Sequence, residues 1–185
     1  MRNSETLTLM KFQFNDGGRK AAGFEGSAYD CVCRAVAIAS GEPYMTIYER
    51  LSQVNENTRI RHPSTGKRSA RNGIFVQSIG FKRLMVALGF VWTPTMGIGT
   101  GCKVHLADGE LPMGRLVVNV SKHTVAGIDG VVQDTHDPTR GGKRCVYGYW
   151  SKQSPVGSTC GSVRRPASGE GQPEPDDNLN TTETK

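Results

Sequence analysis

The sequence predicts an α+β domain, and three observations carry that reading. Apolar residues recur at helical spacing in the first half of the chain, and β-branched runs dominate the second half. Between two of those runs stands the pair Asp129 and Gly130, a two-residue hairpin signal because both residue types tolerate positive φ. Helices first and an antiparallel sheet second is the order of an α+β fold. A chain of 185 residues is long enough to bury a core and recess an active site, and it shows no internal repeat.

The elements follow in order. Residues 1–22 form an N-terminal extension ahead of a domain over 23–152. Asp30 is a helix N-cap before CVCRAVAIAS, whose small apolar residues suit a buried helix ending at Gly41. Pro43 opens a second helix, in which Tyr44, Ile47, Tyr48 and Leu51 recur at i, i+3, i+4 and i+7. Residues 55–73 read as a long exposed loop broken by Pro63 and Gly66, with the one-signed charge of Arg59, Arg61, Lys67, Arg68 and Arg71. A third helix is expected in FVQSIGFKRLMVALGF, with Val76, Ile79, Leu84 and Leu88 as its apolar stripe and Gly89 as its stop; the Gly- and Thr-rich TPTMGIGTG that follows is a connection. Strands are then expected in GRLVVNVS, HTVAGI, VVQDT and CVYGYWS. Residues 153–185, rich in Ser, Gly, Pro, Asp and Glu, cannot bury enough apolar surface to offset their ordering entropy, and disorder is expected there.

Charge and cysteine usage narrow the function classes. The net charge is +6, and the tail from Gly161 carries five acids against three bases, so the rest of the chain is more basic still. That balance permits nucleic-acid binding, but an ordinary basic surface is the favoured reading. The aromatics of CVYGYW alternate as strand residues do, which suits packing better than base stacking. Five cysteines, an odd and sparse set, are read as reduced thiols. The N-terminus shows no apolar signal region and no run approaches a membrane span, so a cytoplasmic protein without membrane contact is expected. The glycines of TMGIGTG lack the Lys and Ser or Thr of a phosphate loop, and no cofactor is expected. Cys31 and Cys33, with His105, His123 and His136, lack structural-zinc spacing, and Cys31 and Cys33 point to different sides of a helix, so no metal is expected either. Cys33 is read as core, or as a thiol able to trap Cys31 on oxidation.

The chemistry centres on Cys31. In the first turn of a helix, a thiol meets the positive end of the dipole and unpaired N–H groups, which lower its pKa and can stabilise an oxyanion. A two-residue loop at Asp129 and Gly130 pairs Ile128 with Val131, which sets Val125 opposite Asp134 and His123 opposite His136. Strand alternation then places His123 and Asp134 on one face as diagonal neighbours, suited to a base and its orienting acid. Asp137 is a second candidate for the acid, or a turn-former before Pro138, and His136 is the reserve histidine.

The order of helix-borne Cys, then His, then Asp resembles the papain-like cysteine peptidases. DCVCRAVAIAS is similar to the D-C-G-x-A-x-L segment of the bacteriocin-processing, C39-type group, and the strand LVVNV leading to KHTVAGI, with Asp137 and Pro138 beyond, resembles that group's hairpin. The stretch from Asp30 to Trp150 is also similar to small phage and prophage proteins that share DCV-x-RA, LP-x-GR, KH-x-VA, DG, DTHD and KRCVYGYW. The resemblance implies a papain-like fold, Cys31 as nucleophile, His123 as base, Asp134 or else Asp137 as orienting acid, and a protein or peptide substrate. It implies a host-cytoplasmic setting if the chain is phage-encoded. Two positions depart from the pattern. Glu25 stands where an oxyanion-donating Gln is usual, and Val32 replaces the glycine after the cysteine. Two functions follow as expectations: a hydrolase, or transamidase, acting on an acyl, amide or isopeptide bond, and a catalytically silent module binding a host protein or nucleic acid through its basic loop. The oligomeric state is not legible in the sequence, nor is the substrate.

Overall fold

The computed structural model describes residues 9–57 and 69–153. Contacts divide the chain into Met1–Ser154 and Pro155–Lys185. The second unit lies outside the described residues, as do Arg59, Arg61, Lys67 and Arg68 of the basic loop.

Among the described residues the first unit is α+β, with one six-stranded sheet and three α-helices. Its elements are β1 (Lys11–Phe14), α1 (Cys31–Ser40), α2 (Tyr44–Glu56), α3 (Ile79–Ala87), β2 (Phe90–Pro94), β3 (Arg115–Val120), β4 (His123–Ile128), β5 (Val131–Asp134) and β6 (Val146–Lys152). The strand order is β1-β5-β4-β3-β6-β2. Every pairing is antiparallel except β1 with β5, so the sheet is mixed where an antiparallel one was expected. The parallel strand comes from within residues 1–22, whose apolar Phe12 and Phe14 are exposed at the sheet edge.

Strand alternation divides the core in two. Val117, Ala126 and Trp150 face the helices, joining Val36, Ile47, Leu51, Phe81 and Met85. Leu116, Val118, Val120, Val125 and Val132 face the other way, beneath Leu106 and Leu111. Both faces of β3 are therefore covered, which explains why LVVNV is a near-continuous apolar run. The β4–β5 turn has Asp129 at φ 46° and Gly130 at φ 77°, the left-handed pair that a primed turn requires, and Ile128 pairs with Val131.

Helices α1 and α2 fall where their patterns place them. Gly41 closes α1 in the left-handed conformation at φ 78°, and its N–H donates to the Ala37 carbonyl. The third helix departs from its expected stripe. It starts only at Ile79, capped by Ser78, whose side chain accepts from the Phe81 N–H, and it buries Phe81 and Met85 while Ile79 is exposed. Phe90 is the first residue of β2 and lies outside the helix. Phe90 lies past the Gly89 stop, and the strand it opens, not expected from the sequence, forms because Phe90 and Trp92 pack beside β6. Gly148 on β6 makes that packing possible, because a Cβ there would stand 2.3 Å from the Trp92 ring.

The cysteines require a correction. Cys31 and Cys33 are free, but Cys102 and Cys145 form a disulfide with Cα atoms 5.8 Å apart. Spacing could not reveal it, since the partners are 43 residues apart and meet only when β6 pairs into the sheet. Cys160 lies outside the described residues.

Candidate active site

Helix α1 packs across β4, β3 and β5, which brings its first residue, Cys31, to His123, the first residue of β4. Cys31 is partly exposed in a cleft of about 820 Å³, whose lining includes His123, Thr124, Asn119, Lys122, Trp92 and Gln77. Cys33, two residues on, faces the core. Burial and the nearby charge of Asp30 push its thiol up to about 12, which argues against a trapping role.

His123 stands between the thiol and a buried acid. Its Nε2 donates to Asp134 Oδ2 at 2.5 Å, since an ionised carboxylate can only accept. Nε2 being engaged, Nδ1 is the nitrogen left for Cys31, which lines the same cleft as the ring. Burial alone would raise the Cys31 thiol, but the His123 bond and charge, the Thr124 N–H and Arg34 outweigh it and hold the thiol below its ordinary range. Burial likewise opposes the imidazolium, yet the bonds and charges of Asp134 and Cys31 raise His123 to about 9. Burial would raise Asp134 as well, but His123, the Thr135 N–H and Arg34 hold it low. The three shifts favour one state, thiolate beside imidazolium beside carboxylate.

A charge network that the sequence reading missed supports this row. Asp30 does not cap α1 with its side chain. It is buried instead, accepting from Tyr44 Oη at 2.6 Å and pairing with Arg19 Nε at 2.9 Å and Arg34 Nε at 3.3 Å. Arg34 also donates to Thr135 Oγ1 at 2.6 Å and lies 3.7 Å from Asp134 Oδ1. The network joins the segment before α1, the helix itself and the end of β5. The i,i+4 spacing of Asp30 and Arg34 is visible in the sequence; the reach of Arg34 to β5 is not.

The other candidates fall elsewhere. Asp137 accepts from the Thr139 N–H at 2.9 Å and shapes the turn after β5. His136 is exposed, its ring centroid 5.2 Å from that of His123. His105 pairs with Glu110 at 3.3 Å. Glu25 is exposed and does not line the cleft, whereas Gln77, which no sequence motif marked, does. Ligand atoms of His123, Asp134 and His136 lie within 4.8 Å of one another, a set of metal-ligating types. In this arrangement the first two are bonded to each other, and the Arg34 cation lies beside the carboxylate.

Comparisons with family models, curated proteins and solved structures return no match to this chain. Among the described residues, no helix is long and apolar enough to cross a membrane.

Proposed function

We propose that the protein is a cysteine-dependent hydrolase of papain-like type, cleaving an acyl, amide or isopeptide bond with Cys31, His123 and Asp134. The observation that carries this reading is the contiguous row of Cys31, His123 and buried Asp134, in a cleft open to substrate. Its parts belong to three separate elements, and the titration of each is shifted in the direction that the chemistry needs.

The steps follow from the geometry. The Cys31 thiolate attacks the carbonyl carbon, and the carbonyl electron pair moves to oxygen. The N–H groups of the first turn of α1 have no intrahelical acceptor and are available to that oxyanion, with the Gln77 amide as a side-chain donor. The tetrahedral carbon then expels the amine, which takes the Nδ1 proton of His123 and leaves an acyl-thioester on Cys31. Neutral His123 next removes a proton from water. The resulting hydroxide attacks the thioester and releases the acid, restoring thiolate and imidazolium. An amine in place of water would give transamidation. Asp134 keeps the Nε2–H in place throughout and so fixes Nδ1 toward the thiol.

Mass spectrometry of peptide and isopeptide libraries incubated with wild type, Cys31→Ala and His123→Ala tests the reading. Cleavage products, with a transient acyl adduct on Cys31, are expected from wild type alone. Equal cleavage by Cys31→Ala would overturn it.

A further inference from the structure

The cleft beside Cys31 has an uneven charge distribution. Among the described residues its lining contains Lys122, Arg34, His123 and His136 but no Asp or Glu, while Trp92 and Met96 contribute apolar wall. Arg34 is neutralised by Asp30 and Asp134, and His123 is engaged by Asp134. Lys122 is different. It is exposed and takes part in no ion pair among the described residues.

The backbone at Lys122 points the same way. Ser121 and Lys122 form the turn between β3 and β4, where Val120 pairs with His123. Lys122 adopts φ 55°, a conformation that Gly or Asn takes with less strain. A strained lysine next to the base, with an ammonium free at the cleft mouth, suits an electrostatic task in that cleft.

We infer that Lys122, which shares the cleft lining with His136, forms a carboxylate-binding subsite, so that the substrate is a peptide bearing an acidic group next to the scissile bond and an apolar side chain against Trp92. This rests on the thiol-hydrolase reading for its chemistry, but its test does not.

The probes are bromoacetyl dipeptide amides that alkylate Cys31, in which leucine is combined, in either order, with Glu, Gln or Lys. In wild type the rate constants are expected to fall in the order Glu, Gln, Lys, by about three- to tenfold per unit charge for at least one of the two orders. The spread should shrink with added salt. Lys122→Asn, which suits the left-handed turn, is expected to fold and to collapse the spread, and Lys122→Glu to reverse it. A spread that is absent in wild type, or unchanged by both substitutions, would overturn the subsite. The order is readable at any absolute rate. Failure of the hydrolase reading would instead show as a Cys31 no more reactive than a free thiol with all three probes.

Discussion

At the scale of single residues, the site joins three titratable groups whose charges shift one another, so its consequences are consequences of pH. Asp134→Asn removes the acceptor that helps hold His123 at about 9, and the alkaline limb of any Cys31-dependent turnover should move down toward the ordinary imidazole value of 6.5. The rate at neutral pH should fall about 10²- to 10⁴-fold, read from a pH–rate profile. The stability cost has a definite sign. His123 is raised, so its pairing with Asp134 contributes fully below 6.5 and is lost as pH rises through about 9. Asp134 is lowered, so its own contribution is lost as pH falls below 3.8. Urea unfolding should therefore show a larger penalty for Asp134→Asn at pH 6 than at pH 10. Gln77→Ala separates two roles in one measurement: thioester formation with p-nitrophenyl acetate should slow by about 10²-fold, while alkylation, which builds no oxyanion, should hardly change.

At the scale of elements, the disulfide and the Trp92 contact fix the wall of the cleft. Cys102→Ser with Cys145→Ser frees the segment carrying Met96 from β6, and a loss of about 2–4 kcal/mol is expected in chemical denaturation. Gly148→Ala drives a methyl into the Trp92 ring and should cost about 1–3 kcal/mol by the same measurement. This scale also separates what the sequence made legible from what it hid. Helices α1 and α2 and the four strands from β3 to β6 rest on local signals: a 3.6-residue stripe, a period of two, an Asp-Gly turn. Register arithmetic from that turn brought His123 and Asp134 to one face, where they lie bonded. Elements decided by distant partners were not legible. β1 exists because β5 pairs with it, and Phe90 is drawn into β2 by β6. Arg34 reaches Asp134, and Arg19 reaches Asp30, only after the chain has folded. Gln77 carried no motif because a cleft has no sequence period, and Lys122 stood in KH-x-VA with no role attached to it.

At the scale of the whole molecule, the site is a product of the complete fold. Cys31 comes from a helix that packs on one face of the sheet, His123 and Asp134 from two paired strands, and the supporting charge of Arg19 from the segment before that helix. No two consecutive elements contain the row. The enhanced Cys31 alkylation that the proposed mechanism requires should consequently vanish with the same urea midpoint as the intrinsic fluorescence of Trp92 and Trp150, as expected if the unit Met1–Ser154 unfolds in one step. The measurement that bears most directly on the central claim is the pH dependence of Cys31 alkylation by iodoacetamide in a Cys33→Ala background, with and without His123→Ala. An activated pair predicts rapid alkylation well below pH 8, lost when His123 is removed. A Cys31 that is inert, or that reacts as a free thiol whether or not His123 is present, would contradict the account.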